Sequence, residues 1–171
     1  MKYFSLVCLL FFSQFIHAGM ELDPKLKVFE PYLGTWEATF AMADGQADLV
    51  DVSSWERALN GTAIRTKHSI NEGVYGGESF IFWDKDSEQL VFYYFTTAGF
   101  FTQGQLEISE DGSFVAYEDV SGSEEGITQV KSTSTFVDGK FVVATSYLKE
   151  GQWTKPEQRT YTRSNKSVIF K

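Results

Sequence analysis

The chain is short of cysteine, histidine and proline, and each shortage narrows the kinds of site that it can build. One cysteine, Cys8, occurs among 171 residues, and the only histidines are His17 and His68. Such a chain cannot form an internal disulfide, a cysteine-rich zinc site or a paired-thiol redox motif. With three prolines and no low-complexity tract, it also has no obvious linker. We therefore expect one domain that is stabilised by its core alone.

Basic residues are also outnumbered. There are 15 lysines and arginines against 23 aspartates and glutamates, which gives a net charge of -8. Nucleic acids and anionic membrane surfaces are bound through basic patches. The composition therefore predicts neither as a partner.

The N-terminus has the pattern of an export signal. Lys2 precedes an apolar run over residues 4–16, and the small residue Ala18 follows it. The run is shorter than the about 20 apolar residues that span a bilayer. We predict a signal peptide over residues 1–18 and a domain over residues 19–171, periplasmic or secreted and without a membrane anchor. Cleavage would remove Cys8 and His17, so that only His68 remains among the histidines.

The remainder of the chain is rich in strand-forming residues. Aromatic residues make up 16% of the sequence, and turn signals recur about every ten residues. Among them, Asn60-Gly61, Asp111-Gly112 and Asp138-Gly139 are typical of tight hairpins. A short helix is predicted over Pro24–Tyr32, with Asp23 as its cap. The fold class is therefore all-β: a single antiparallel up-and-down β-barrel of about ten strands with a short N-terminal helix.

Several short motifs occur in a recognisable order. They are Leu-Gly-Thr-Trp at 33–36, Leu-Asn-Gly at 59–61, Phe-Trp-Asp at 82–84, Gly-Gln-Trp at 151–153 and Tyr-Thr-Arg at 161–163. The chain resembles the calycin superfamily, which includes lipocalins, fatty-acid-binding proteins and nitrobindin-like proteins. The nearest resemblance is to bacterial lipocalin-like families of undefined function. It implies a barrel that holds a ligand.

Three residues of these motifs are interpreted as structural. Gly34 permits a tight turn from the helix into the first strand, and Trp36 plugs the end of the barrel. An arginine on the last strand then covers the indole. We predict Arg163 in this position, with Arg159 as the alternative.

Strand periodicity indicates which residues face the interior. Between residues 62 and 71 polar and apolar residues alternate, and this places His68 on the inward face beside Ile64 and Thr66. An aromatic lining with one cation suits a small amphipathic or mostly apolar ligand. The predicted ligand-binding residues are Trp55, Arg57, His68, Phe82, Phe92, Tyr94 and Tyr147. The same periodicity also assigns Phe80, Phe101, Gln103, Gln105 and Tyr117 to the interior.

Cofactors and catalysis have little support in the sequence. In nitrobindin-like proteins the haem-ligating histidine lies late in the chain, and residues 141–163 here contain no histidine. We therefore predict neither haem nor another cofactor, and no metal site. The sequence also lacks a Gly-x-Ser-x-Gly elbow, a phosphate-binding glycine loop and a His-Glu-x-x-His motif. No catalytic residue is assigned.

Two functions of different classes follow. The first is a carrier that binds a small, mostly apolar molecule inside a hollow barrel. The second is a non-catalytic interaction protein with a filled barrel, whose strands around residues 80–83 and 90–95 are apolar on both faces and meet a partner or a second copy. An enzyme is a third hypothesis, and it requires His68 or Arg57 to face a cavity beside a carboxylate such as Glu56 or Glu72.

Overall fold

The computed structural model describes residues 21–40, 48–121, 123 and 125–171. The predicted signal peptide and its cleavage site lie outside these residues. Within the described ranges, no helix is long and apolar enough to cross a membrane.

One 3-10 helix precedes a single sheet. It spans Pro24–Tyr32, and its first turn is capped by Asp23, whose carboxylate accepts the backbone N–H of Lys25 at 2.9 Å. Single 3-10 turns follow at Leu59–Gly61 and Asn71–Gly73. The strands are β1 (Gly34–Phe40), β2 (Leu49–Ala58), β3 (Ala63–Ile70), β4 (Tyr75–Asp84), β5 (Gln89–Thr96), β6 (Phe101–Ile108), β7 (Phe114–Asp119), β8 (Ile127–Val137), β9 (Lys140–Lys149), β10 (Gln152–Trp153) and β11 (Glu157–Arg163).

The strands close into a barrel. Strands β1 to β9 pair with their neighbours in sequence order, all antiparallel, and β11 pairs with both β9 and β1. The two-residue strand β10 pairs with β9 alone, so ten strands form the closed wall. The predicted fold class, a ten-stranded antiparallel barrel with a short N-terminal helix, is confirmed. The architecture is compatible with a calycin-like fold.

Of the three predicted tight hairpins, one is a two-residue turn, and the pairs Asn60-Gly61 and Asp111-Gly112 lie in longer connections. Asp138 and Gly139 both have positive φ, 50° and 74°, and they join the paired residues Val137 and Lys140 in a two-residue turn. In the turn at Asp111-Gly112, only the glycine has positive φ, 80°. That connection is longer, and the Gly112 N–H donates to the Ser109 carbonyl at 3.0 Å.

The helix closes one end of the barrel. Leu26, Phe29 and Tyr32 are fully buried. The ring of Tyr32 lies 5.2 Å from Phe114 and 5.6 Å from Trp55, centroid to centroid. Each buried aromatic side chain contributes on the order of 2 kcal/mol through the apolar area that it removes from water. This end of the barrel is therefore a packed core.

Gly34, Trp36 and Arg163 form a unit where the helix meets the first strand. The Arg163 guanidinium lies 3.7 Å from the centroid of the fully buried Trp36 indole. It also donates to the carbonyl oxygens of Leu33 and Pro31. Gly34 has φ +115°, and a Cβ there would lie 2.3 Å from an Arg163 nitrogen, so glycine is needed both for the turn and for the close approach.

Candidate functional site

Beyond the aromatic end, the barrel interior is hollow. The cavity has a volume of about 440 Å³, within the usual range for small-molecule sites. It lies between the rings of the closed end, including Trp55 and Phe114, and a polar region around His68 and Tyr94. These polar residues lie towards the opposite end of the barrel, because β3 and β5 end there at Ile70 and Thr96.

The structure brings most of the predicted ligand-binding residues together. Trp55, His68, Phe92, Tyr94 and Tyr147 all line this cavity. They come from four different strands, β2, β3, β5 and β9, so only closure of the barrel makes them neighbours.

Phe82 is not among them, and its predicted inward orientation is wrong. Ser79 and Ile81 line the cavity, so the alternation along β4 directs Phe82 outward. There its ring stacks with that of Tyr93, 6.3 Å away with 6° between the planes. Glu78 and Asp84 share this outward face, and these two acidic residues are the signal in the sequence that could have indicated it. The same correction applies to Phe80, Phe101, Gln103, Gln105 and Tyr117, each of which alternates with the inward residues of its strand.

Arg57 also lies away from the cavity. It is at the helix end of β2, where its guanidinium is 3.8 Å from a carboxylate oxygen of Glu30 on the helix. Both side chains are about two-fifths to one-half exposed, at 38% and 49%. An exposed ion pair of this kind contributes little free energy. Arg57 therefore connects the helix to the wall and does not contact the interior.

A row of hydrogen-bonded groups crosses the cavity wall. The Asp51 carboxylate lies 3.1 Å from His68 Nδ1, and His68 Nε2 lies 2.7 Å from the Tyr94 hydroxyl. The Tyr94 hydroxyl is 3.2 Å from that of Tyr75. On its other side, Asp51 accepts the Tyr161 hydroxyl at 2.7 Å. We call Asp51, His68, Tyr94 and Tyr75 the polar chain.

A glycine makes the polar chain possible. His68 on β3 and Tyr94 on β5 are separated by β4, and the residue of β4 paired with His68 is Gly77. A Cβ at Gly77 would lie 2.3 Å from the Tyr94 ring. Since glycine leaves this space empty, the Tyr94 ring can lie across β4 and reach the imidazole.

Burial shifts the ionisation of several groups in the cavity. Desolvation raises the pKa of Tyr94, and its hydrogen bond with Tyr75 adds to the shift. Desolvation also raises the pKa of Tyr161, with the nearby Asp51 charge as the next cause. The pKa of Glu118 is raised by burial as well. The two phenols therefore stay protonated at neutral pH, and Glu118 holds its proton to a higher pH than an exposed glutamate.

Arg159 is the cation among the residues that line the cavity. Its guanidinium stacks on the ring of Phe40, 4.0 Å from the centroid. Arg159 was predicted only as the alternative to Arg163 over Trp36. The arginines on β11 thus have different places: Arg163 covers the closed end, and Arg159 lines the interior.

The acidic members of the site were not among the residues predicted from the sequence. Asp51 is 4% exposed and shares its strand face with Trp55, so the alternation that places Trp55 inward also places Asp51 inward. The carboxylate beside His68 is thus Asp51. Glu56 instead contacts Arg65 and Lys67, and Glu72 lies in the turn between β3 and β4. Among the described residues, no group of His, Cys, Asp and Glu side chains could hold a metal ion.

Several large apolar side chains are exposed on the outer wall of the barrel. Phe95 and Phe101 pair across β5 and β6, with ring centroids 5.9 Å apart, and are 51% and 60% exposed. Phe100, beside them, is 53% exposed. Exposed aromatic groups of this kind are typical of contact surfaces.

Comparison with protein-family models and with curated proteins finds no match. The architecture, a closed ten-stranded antiparallel barrel, is compatible with a calycin-like fold.

Proposed function

We propose that this is an exported lipocalin-like protein that binds a small, mostly apolar molecule inside its barrel. The observation that carries the proposal is the cavity of about 440 Å³, with aromatic side chains at one end and hydrogen-bonding groups at the other. Such a site suits an amphipathic molecule, because the apolar body is removed from water while the polar groups set its orientation.

The burial pattern supports a binding cavity over a filled barrel. Ser53, Ser132 and Ala116 line the cavity at positions where a larger apolar side chain would fill the interior. Small residues on the inward face of a barrel leave volume that no side chain occupies. The interior is therefore packed at the helix end and vacant in its middle.

The first experiment is native mass spectrometry of the protein purified gently from its own source, with a denatured sample as control. A bound mass that disappears on denaturation supports the carrier. The same spectra test export, since cleavage after Ala18 leaves a mature chain that begins at Gly19. Chains that retain residues 1–18 would contradict the predicted localisation.

A matched pair of variants locates the binding site. Ser132 lines the cavity, and Thr133, the next residue of β8, points to the opposite face. We expect Ser132→Phe to remove the bound mass and Thr133→Phe to retain it. Equal retention in both folded variants would place the ligand outside the barrel.

A second function has support from the outer wall. The exposed rings of Phe95, Phe100 and Phe101 favour an interaction protein that associates with a partner or a second copy. Light scattering coupled to size exclusion separates the two proposals. A ligand-free dimer supports the interaction protein, and a ligand-loaded monomer supports the carrier.

A further inference from the structure

Glu118 on β7 is a carboxylic acid inside the cavity without a partner of opposite charge. Its side chain lines the cavity. Within the part of the chain that the structure describes, Glu118 takes part in no ion pair. Burial raises its pKa, because the carboxylate has lost water and no neighbouring cation compensates for that loss. A positively charged ligand group would supply the missing compensation.

A second polar atom beside Glu118 is also unsatisfied. Thr102 on β6 pairs with Tyr94, which faces the cavity, so the Thr102 side chain lies on the inward face as well. Its hydroxyl oxygen is buried and has no hydrogen-bond partner among the described residues. The Thr102 hydroxyl offsets only part of the effect of burial on the pKa of Glu118. Both side chains can accept hydrogen bonds, and a ligand with several donors would satisfy both.

A glycine places an apolar surface next to these two acceptors. Gly104 on β6 is the residue paired with Glu118, and its partner on the other side is Phe92 of β5. A Cβ at Gly104 would lie 2.7 Å from the Phe92 ring. The ring therefore lies over this glycine, where it lines the cavity. A ligand whose polar group reaches Glu118 would have its apolar part against Phe92.

Two phenol rings lie near the carboxylate. Burial is the main cause of the raised pKa of Tyr94 and of Tyr147, and the charge of Glu118 contributes to both shifts. Both residues line the cavity. Because the faces of aromatic rings attract cations, these two rings favour the same kind of ligand group as the carboxylate does.

The other charged groups of the cavity are engaged elsewhere. Arg159 lies on β11, which is separated from β7 by β8 and β9, and its guanidinium stacks on the Phe40 ring. Asp51, the second carboxylate of the lining, already accepts the Tyr161 hydroxyl and lies 3.1 Å from His68 Nδ1. Glu118 is therefore the carboxylate that remains open to a ligand.

From this arrangement we propose that Glu118 and Thr102 form the subsite for an ammonium group, and that the ligand is an amphipathic alkylamine. An ammonium group has three N–H donors, enough for both oxygen acceptors. Its charge would lie near the rings of Tyr94 and Tyr147, and its apolar body would extend from Phe92 towards the closed end. The proposal rests on the proposed function, since it assigns a ligand class to the same cavity.

The test uses three probes that share a naphthalene body. Naphthylmethylamine is a cation, naphthylmethanol is its neutral counterpart, and naphthoate is an anion. Dissociation constants are measured by calorimetry at about pH 7.5, where alkylamines are protonated and aromatic acids are ionised. We expect the amine to bind about tenfold more tightly than the alcohol, the effect of one charge-assisted hydrogen bond, and naphthoate to bind most weakly.

Variants then assign the preference to the subsite. Glu118→Gln should bring the affinities of the amine and the alcohol close together. Asp119→Asn removes the same charge from the next residue of β7, which is exposed on the outward face, and should retain the preference. Thr102→Val keeps the shape of the side chain and should lower the preference about threefold, the effect of one neutral hydrogen bond. Circular dichroism confirms folding, and a misfolded Glu118→Gln leaves Thr102→Val to decide.

Four results would overturn the proposal, and they are distinguishable. Equal binding of the amine and the alcohol means that the subsite assignment is wrong while the carrier function stands. Tightest binding of naphthoate assigns the polar group to Arg159 instead. A preference that survives Glu118→Gln, or falls equally in Asp119→Asn, excludes direct contact with Glu118. If no probe binds, and purification yields no ligand either, the carrier function fails together with this inference.

Discussion

Arg163 illustrates how one surface side chain can hold several parts of the fold. It is itself exposed, yet it covers the buried Trp36 indole and donates to two carbonyl oxygens at the end of the helix. The Trp36 indole in turn donates to the Tyr32 carbonyl at 2.6 Å. Through these contacts, one arginine joins the last strand, the first strand and the helix.

We expect Arg163→Ala to lower the free energy of unfolding by about 2 kcal/mol, from one cation–π contact and two hydrogen bonds. Arg163→Lys should recover only part of this, since an ammonium group cannot stack and form the forked contacts together. Urea unfolding of the three proteins measures the differences. Full recovery by lysine would mean that charge alone matters at this position.

The ionisation of Glu118 lowers the free energy of unfolding, whereas the ionisation of a salt-bridged carboxylate raises it. Burial raises its folded-state pKa above the ordinary value of 4.5. At lower pH the carboxyl group is protonated in both the folded and the unfolded states, so its ionisation does not reduce the stability. As the pH rises through the unfolded-state pKa, the free energy of unfolding begins to fall, and the loss is complete above the folded-state pKa.

Glu118→Gln should therefore raise the Tm of the ligand-free protein at pH 7 by a few degrees and change it little at acid pH. Glu107→Gln, an exposed position on β6, is the matched control. Thermal denaturation across the pH range is the measurement. A gain that is equal at all pH values would mean that the ionisation of Glu118 is not its cause.

At the scale of elements, β4 shows how small residues on the inward face of a strand affect the packing of neighbouring strands. Its inward face has Gly77 and Ser79 beside Ile81, and these small residues give room to side chains from β3 and β5. Its outward face has larger rings such as Phe82. The acidic residues Glu78 and Asp84 also lie on the outward face, while Tyr75 and Trp83 share the inward face with Ile81.

Gly77→Ala should displace the Tyr94 ring, because the new methyl group would lie 2.3 Å from that ring and 2.4 Å from the Phe95 carbonyl oxygen. We expect a loss of about 1–3 kcal/mol in stability from overpacking. Ser79→Ala, on the same face of β4, is the control, and urea unfolding of the three proteins measures the loss.

At the scale of the whole molecule, barrel closure removes both free sheet edges. Strand β11 pairs with β9 on one side and with β1 on the other, so residues from the two ends of the domain become neighbours. A closed sheet does not aggregate through its edges. Association of this protein would then proceed through side chains of the outer wall.

If a dimer forms, Phe95→Ser combined with Phe101→Ser should dissociate it, because these rings are the exposed aromatic pair on β5 and β6. Light scattering over a range of protein concentrations detects the change. Both residues lie on the outer face, so ligand binding in the cavity should persist. A dimer that survives the double substitution would place its interface elsewhere.

The sequence by itself determined the class of fold and much of its local structure. Turn pairs such as Asp138-Gly139 mark where strands end, since few other residues adopt positive φ. Strict alternation placed His68 and Trp55 on the inward face, where the structure has them. These properties are local, and local sequence is enough to encode them.

The tertiary structure decided how distant residues meet. The inward face of β4, the pairing of Arg57 with Glu30 and the meeting of Asp51 with His68 and Tyr161 all depend on which strands lie side by side. The partners of an inward side chain lie on neighbouring strands and across the barrel. The residue pattern of a single strand does not identify them. The cavity likewise exists only because small residues on several strands face a common interior.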